Sequence, residues 1–346
     1  MRAVLKNEPA PGAKLVDVPI PTPGSGEVLV RVDAASICGT DYHIYVWNEW
    51  AQNRIKPPQI MGHELAGEIV ELGPNVTNAK VGDYISAESH IVCGHCIQCM
   101  IGEKHVCQNT SILGVDRDGC FAEYLIIPED NLWHNDPDIP LDIASIQEPL
   151  GNATNTVLAG ETRGRTMAVF GCGPIGLMAI GVAKACGSSW IAAIDINDYK
   201  LDLAKKMKAD LTINSNKISP VEAIMDYTHG SGVDIVLEMS GAPAVFNQML
   251  KVVRAGGRIS LLGLPEKALP VNFSDDVVMR GLTMHGITGR RLWHDWIVGR
   301  ELLKSGLLDL SPVVTHHFDL GDYAEGMDLM TKGDCGKIVL YPGGVR

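Results

Sequence analysis

The stretch 166–187, TMAVFGCGPIGLMAIGVAKACG, runs from an apolar, β-type segment through a glycine-rich turn into a helical one. GCGPIG fits G-x-G-x-x-G, with glycines at 171, 173 and 176, and it has the strand before and the helix after that give this pattern a meaning. Gly171 permits the tight turn, Gly173 lets the backbone approach a pyrophosphate, and Gly176 lets the helix pack against the strand. Pro174 and Ile175 complete the loop, and a diphosphate would rest on the helix N-terminus. The next apolar run, WIAAID, ends in Asp195, about 20 residues beyond the third glycine, where a carboxylate hydrogen-bonds an adenosine ribose 2′-hydroxyl. Asp195 would repel a 2′-phosphate, so NAD is expected ahead of NADP, although Lys200 lies five residues on and tempers that preference. The alternative is a glycine-rich turn that binds nothing.

Outward from this stretch, VDIVLEMSG (233–241) and GRISLLGL (257–264) continue an alternation of apolar strands with helical segments such as YKLDLAKKMKA (199–209). The strands are apolar almost throughout, as expected when helices cover both faces of a parallel sheet. The fold class is therefore α/β, a Rossmann doubly wound parallel sheet. Leu262, Gly263 and Leu264 at the end of one strand, and Ile287 and Thr288 in GITGRRLW (286–293), are assigned to cofactor contact. The adjoining Arg290 and Arg291 are either a solvated basic turn or neighbours of the nicotinamide and phosphates, with backbone contact from Thr288 and Gly289 favoured over a catalytic arginine.

Residues 1 to about 150 read differently. Short β-rich runs, EVLVRVDAA, ELAGEIVELG, GDYISAESHIV and FAEYLIIP, alternate with Pro/Gly turns, the pattern of a compact, mostly β domain. Beyond 292, WHDWIVGRELLKSG and YAEGMDLMTKG read as two amphipathic helices before a last strand, KIVLYP. With 346 residues, more than one core is expected. The boundaries are placed at 1–154, 155–292 and 293–346. A net charge of −12 argues against nucleic acid or an anionic membrane surface as partner. There is no apolar run of signal-peptide or membrane-span type, and a cytoplasmic setting is expected.

Nine cysteines are an odd number, and four of them make C-x2-C-x2-C-x7-C: Cys93, Cys96, Cys99 and Cys107. Four thiolates satisfy tetrahedral zinc and leave no open position, so this site should be structural, with His95 and His105 as bystanders. An iron–sulfur cluster is disfavoured because no C-P follows the last cysteine. Cys120, Cys186 and Cys335 are expected to be unligated. A second constellation combines Cys38 with His63 and Glu64, 25 residues on. Three protein ligands leave a position for substrate on a catalytic zinc, yet by spacing alone a lone cysteine and a distant His-Glu pair are more often structural.

GHELAGEIVELG, the four-cysteine lobe, SICGTDYH and the glycine-rich fold together resemble the zinc-dependent medium-chain alcohol dehydrogenase family over essentially the whole chain. The runs SICGTDYHIYVWNEWAQNRIKPPQIMGHE, ESHIVCGHC, CQNTSILGVDRDG, QEPLGNA and GITGRRLW are similar to the members that oxidise L-threonine. The resemblance implies a GroES-like partial barrel for the first domain, with the final segment returning to it, and a homotetramer. It implies Cys38, His63 and Glu64 as ligands of a catalytic zinc, with Glu148 beside or on the metal. It places Thr40 and His43 in a proton relay and His90 near the substrate, where a lobe-packing role is the alternative. Trp47 and Trp50 are read as packing aromatics, and Asp275 and Asp276 as solvated surface. The implied activity is oxidation of L-threonine to 2-amino-3-oxobutyrate with NAD. A polyol or diol dehydrogenase on the same scaffold is the alternative, and a non-catalytic zinc- and nucleotide-binding protein a distant one. Asn155, where a histidine or acid is expected, Cys172 in place of the usual alanine, and Lys200 in place of an arginine depart from the family pattern.

Overall fold

The computed structural model describes residues 1–345. By contacts the chain groups into two units: Met1–Pro149 together with the residues from Val314 onward, and Leu150–Val313. The sequence put the changes of domain at 155 and 293. By contacts the units divide at 150 and 314, and the helix His294–Lys304 lies within the second unit, where a Cβ at its Gly299 would come 3.0 Å from Leu150.

In the first unit the long strand Glu27–Ser36 organises the larger sheet. It pairs antiparallel with Glu64–Leu72, with Tyr124–Pro128 and with Lys337–Tyr341, the last of these bringing the chain's end back to its beginning. Val28, Val30, Val32 and Ala34 are buried along it, and Ala35 and Ser36, flanked by strands on both sides, are buried as well. The register sets Ser36 opposite Glu64 on one side and Val339 on the other. One strand's exit, Ser36–Cys38, thus meets the entrances of two others, His63–Glu64 and Lys337. A hairpin of His90–Ile91 with Ser111–Ile112 flanks the four-cysteine lobe.

The second unit holds six parallel strands in the order Leu211–Asn214, Trp190–Asp195, Thr166–Phe170, Val233–Glu238, Val253–Leu261, Thr283–Gly286. Ala168, Phe170, Ala192, Ile194, Val236 and Ile259 lie in one buried cluster, which explains their near-continuous apolar sequence. The order reverses between Thr166–Phe170 and Val233–Glu238. In open sheets of this kind ligands bind outside the carboxyl ends of the strands at that switch point, which here carries the glycine loop. No helix among the described residues is long and apolar enough to cross a membrane.

Candidate active site

Cys38 is the N-cap of the helix Gly39–Val46, and Asp41, at the third helical position, accepts a hydrogen bond from the Cys38 amide at 2.9 Å. This reciprocal capping fixes the thiol at the helix start. The Cys38 thiol, the His63 imidazole and the Glu64 carboxylate offer one ligand atom each, all within 4.8 Å of one another. His63 and Glu64 are buried, and Cys38 is half-buried.

Asp41, which spacing had not singled out, is fully buried and works on both arms of this cluster. Its second oxygen accepts from the Gly62 amide at 3.2 Å and stands 3.6 Å from His63 Nδ1. Burial pulls the His63 pKa down, but the Asp41 carboxylate and the Cys38 thiol outweigh it and hold the imidazole well above its ordinary value. A buried pocket that favours an extra positive charge, built from sulfur, nitrogen and oxygen donors, fits a zinc ion.

Lys337 is the other residue the sequence reading missed. Its fully buried ammonium lies 2.6 Å from Glu64 Oε1, also contacts Oε2, and donates to the Ile37 carbonyl at 3.1 Å. The Ser36 hydroxyl donates to Glu64 as well. Burial lowers the lysine pKa, yet the facing Glu64 carboxylate more than compensates and keeps it charged. Glu64 therefore has both oxygens committed to protein donors. A lone lysine opening the apolar strand KIVLY was the signal available in the sequence.

Around this cluster, Glu148 is buried and accepts from Ser89 Oγ at 2.6 Å. His90 follows directly, its amide held by the Glu88 carboxylate at 2.9 Å and its carbonyl by Asn131 at 3.0 Å. Thr40 and His43 lie three apart on the Gly39–Val46 helix and so share a face, with Thr40 half-buried and His43 exposed. Asn48 caps the next helix and meets His43 Nδ1 at 3.0 Å. Trp47 lies half-buried beneath the Lys6 ammonium, 4.7 Å from its ring centre. Trp50, read as a packing aromatic, is exposed instead.

The lobe is built on other terms. Cys96 Sγ lies 3.5 Å from Cys99 Sγ and 3.8 Å from Cys107 Sγ, which is 3.5 Å from Cys93 Sγ. A disulfide needs about 2.05 Å, whereas zinc–sulfur bonds of about 2.3 Å give a tetrahedron with edges of about 3.8 Å. The amides of Cys93 and Asn109 both point at Cys107 Sγ from 3.4 Å. The backbone N–H of His95, ahead of other donors, draws the Cys93 thiol down to about 5, while burial pushes Cys99 up to about 12. Thiols so close together cannot all ionise without a cation between them, and the lobe fits a closed metal site. His95 turns its Nδ1 to the Cys93 carbonyl at 2.7 Å rather than into the cluster.

In the nucleotide unit Gly171 has a positive φ of 99°, and a Cβ at Gly176 would stand 2.0 Å from the Gly171 carbonyl oxygen. A Cβ at Gly173 would meet nothing within 4 Å, so the loop presents open backbone there, with Pro174 and Ile175 beginning the helix. Asp195 accepts from the Cys172 amide at 2.7 Å and, through its other oxygen, from Ile196 and Asn197. Lys200 sits half-buried one turn into the following helix. Glu238, fully buried, ties the Ser240 and Gly241 amides together, and its carbonyl accepts from Leu262 and Gly263. Leu264 beyond them is exposed. The amide of Ile287 continues the last strand pairing by bonding Leu261, and Thr288 follows. Arg290 is buried rather than solvated.

Comparison with known proteins agrees with this construction. Residues 24–138 match the alcohol dehydrogenase GroES-like domain and residues 174–305 the zinc-binding dehydrogenase domain. An L-threonine 3-dehydrogenase of Symbiobacterium thermophilum is 55% identical over 343 residues, covering 99% of this chain and 98% of that one. Another, of Bacillus subtilis, is 50% identical over 342 residues, 99% of each chain. Among solved structures, an alcohol dehydrogenase from Escherichia coli complexed with NADH superposes with a TM-score of 0.90 at 29% identity, covering 99% of both chains. The 2R,3R-butanediol dehydrogenase of Bacillus subtilis does so at 0.89 and 27%, also covering 99% of both. The chain belongs to the zinc-dependent medium-chain alcohol dehydrogenase family.

Proposed function

We propose that the chain oxidises the side-chain alcohol of L-threonine to 2-amino-3-oxobutyrate, with NAD as the hydride acceptor. The observation that carries the reading is the cluster of Cys38, His63 and Glu64 set on two converging strand ends, with Lys337 on a third behind it, in a chain that shares 55% identity with an L-threonine 3-dehydrogenase. Bound zinc would lower the pKa of the alcohol, and NAD would take up the hydride. Cys38, His63 and Glu64 hold the metal, and Asp41 orients the first two. Lys337 balances the charge of Glu64, and Glu148 faces the site from Ser89. Thr40 and His43 form the proton's exit: a buried alcohol cannot reach water directly, and this helix face leads from a half-buried hydroxyl to an exposed imidazole. His90, with its backbone clamped between Glu88 and Asn131, contacts the amino acid.

Asp195 and Lys200 receive the adenosine ribose, the Gly171–Gly176 loop the diphosphate, and Leu262 to Leu264 with Ile287 and Thr288 the rest of NAD. A second zinc in the lobe holds Cys93, Cys96, Cys99 and Cys107 together and takes no part in the reaction. A homotetramer in the cytoplasm completes the reading. A diol substrate is the second reading, favoured by the similarity to a butanediol dehydrogenase. Values of kcat/KM for L-threonine, L-serine, sorbitol, butane-2,3-diol and butan-2-ol under one NAD concentration decide between them. L-Threonine should lead, and butan-2-ol should trail by powers of ten because polar groups of the site are left unpaired. A lead for the diol or sorbitol overturns the threonine reading.

A further inference from the structure

The segment 287–291 leaves the edge strand of the nucleotide sheet and is pinned at every other residue around Thr288. On one side the Ile287 amide bonds the Leu261 carbonyl at 2.8 Å. On the other the Gly289 carbonyl, at a residue with φ of +56°, accepts from Asn155 Nδ2 at 3.1 Å. Asn155 is 7% exposed and projects from the helix Gln147–Val157. One residue further on, Arg290 is 1% exposed and turns back to that helix, donating to Asn152 Oδ1 at 3.2 Å. It runs so close over Gly151 that a Cβ there would stand 2.5 Å from Arg290 Cδ. Arg291 is fixed separately, its amide to the buried Asp295 at 2.7 Å and its guanidinium to the same carboxylate at 2.8 Å.

We infer that Asn155, with Gly151 making room for Arg290, is a positioning residue that sets the backbone of Ile287–Gly289 against the nicotinamide end of NAD. The inference rests on the reading that Ile287 and Thr288 line the cofactor. The physical reason is preorganisation. A turn containing a left-handed glycine has several accessible conformations, and a ligand that needs one of them binds more weakly by the fraction of molecules in the others. A side-chain amide on a rigid helix, bonded to the one carbonyl that follows Thr288, removes those alternatives before the cofactor arrives. Asn155 itself touches Gly289 and need not touch the cofactor.

The test compares NADH with ADP-ribose, which shares the adenosine and diphosphate but lacks the nicotinamide. On the purified full-length protein, Asn155→Leu should weaken NADH binding roughly tenfold, the value of one lost hydrogen bond of about 1.4 kcal/mol, while ADP-ribose changes by less than about twofold. KM for NAD should rise more than kcat falls, and Asn155→His, which keeps an N–H donor, should recover part of the loss. Gly151→Ala, which displaces Arg290 without touching Asn155, should weaken NADH selectively in the same way. Equal weakening of both ligands would mean general damage to the unit and overturns the inference, as does an unchanged NADH affinity. A wild-type protein that binds neither ligand would instead overturn the cofactor reading on which the inference rests.

Discussion

The four-thiol lobe and the Cys38–His63–Glu64 cluster are built within one structural unit from overlapping ligand types, yet the protein supports them in opposite ways. In the lobe, four ligands fall within fifteen residues, and the partners that steady them are backbone amides of the lobe itself. In the cluster, the ligands come from two segments 25 residues apart and depend on Asp41, Ser36 and, from the far end of the chain, Lys337. Local closure suits a site whose only task is to hold a short loop that has little core of its own. Long-range assembly gives a site with three donors and charged neighbours that can bias each of them, which a reaction needs and a staple does not. The lobe's sequence signal is strong because its physics is local. The cluster's is weak because its physics is distributed over the fold.

The difference should be plainest when one thiol is removed from each. Cys38→Ser should lower kcat for L-threonine by at least about 10³-fold while leaving a folded protein that retains about one zinc per chain, since the closed lobe does not depend on it. Metal analysis beside steady-state kinetics reads both numbers. Wild-type turnover in this variant would remove Cys38 from the site. Cys96→Ser should do the reverse. The lobe loses its metal and with it several kcal/mol of folding free energy, so the thermal midpoint falls, whereas the protein still folded keeps the turnover of its remaining zinc. If Cys96→Ser instead lost activity with an unchanged midpoint, the assignment of roles to the two sites would have to be exchanged.

The same contrast explains what could be read from residues alone. The doubly wound sheet was legible because its strands are apolar on both faces and its glycine loop has a fixed spacing to Asp195. The lobe's four cysteines stood out by their narrow spacing, whereas Cys38, His63 and Glu64, 25 residues apart, stood out only through the family resemblance. Lys337 was not, because nothing local to KIVLYP says that its first residue will register beside Ser36 and Glu64, 273 positions from the carboxylate it meets. Asp41 could have been found: three residues after Cys38, it completes a capping pattern at the start of a helix. Arg290 looked like half of a basic turn and is buried, because the arginines of GITGRR diverge, one to the helix at Asn152 and the other to Asp295. The domain edge at 314 was hidden because the helix 294–304 is amphipathic in either unit, and its place is shown only by the buried Asp295, Trp296 and Gly299 meeting partners of the second unit.

Lys337 has no counterpart in the lobe, and it can be removed without touching a ligand atom. Lys337→Met keeps the unbranched stem but leaves the Glu64 carboxylate buried without its cation, a change that costs about 3–5 kcal/mol in a pair of this kind. Urea unfolding should show that loss. Adding Glu64→Gln to the same chain should return much of it, because the uncompensated charge is then gone. A single variant as stable as wild type would mean that the pair does not hold the strand ends together.

The smallest effect expected is at Asp41, and it concerns how tightly each site keeps its metal. Asp41→Asn preserves shape and removes only charge, so the helix start should survive with one weaker capping bond, and the fold should change little. What changes is the setting of His63, whose imidazole is held against burial by the Asp41 carboxylate 3.6 Å away. An orienting carboxylate of this sort is worth about 10–100-fold in metal affinity. Titration with a chelator should therefore strip the first zinc from Asp41→Asn at about 10–100-fold lower chelator strength than from wild type. The second zinc should leave both proteins at the same point, because the lobe is steadied by its own amides and not by Asp41. Two zinc ions that leave the variant and the wild type alike would show that Asp41 acts only as a helix cap. A shift of both together would show that the two sites are not independently supported, and the contrast between them would fail.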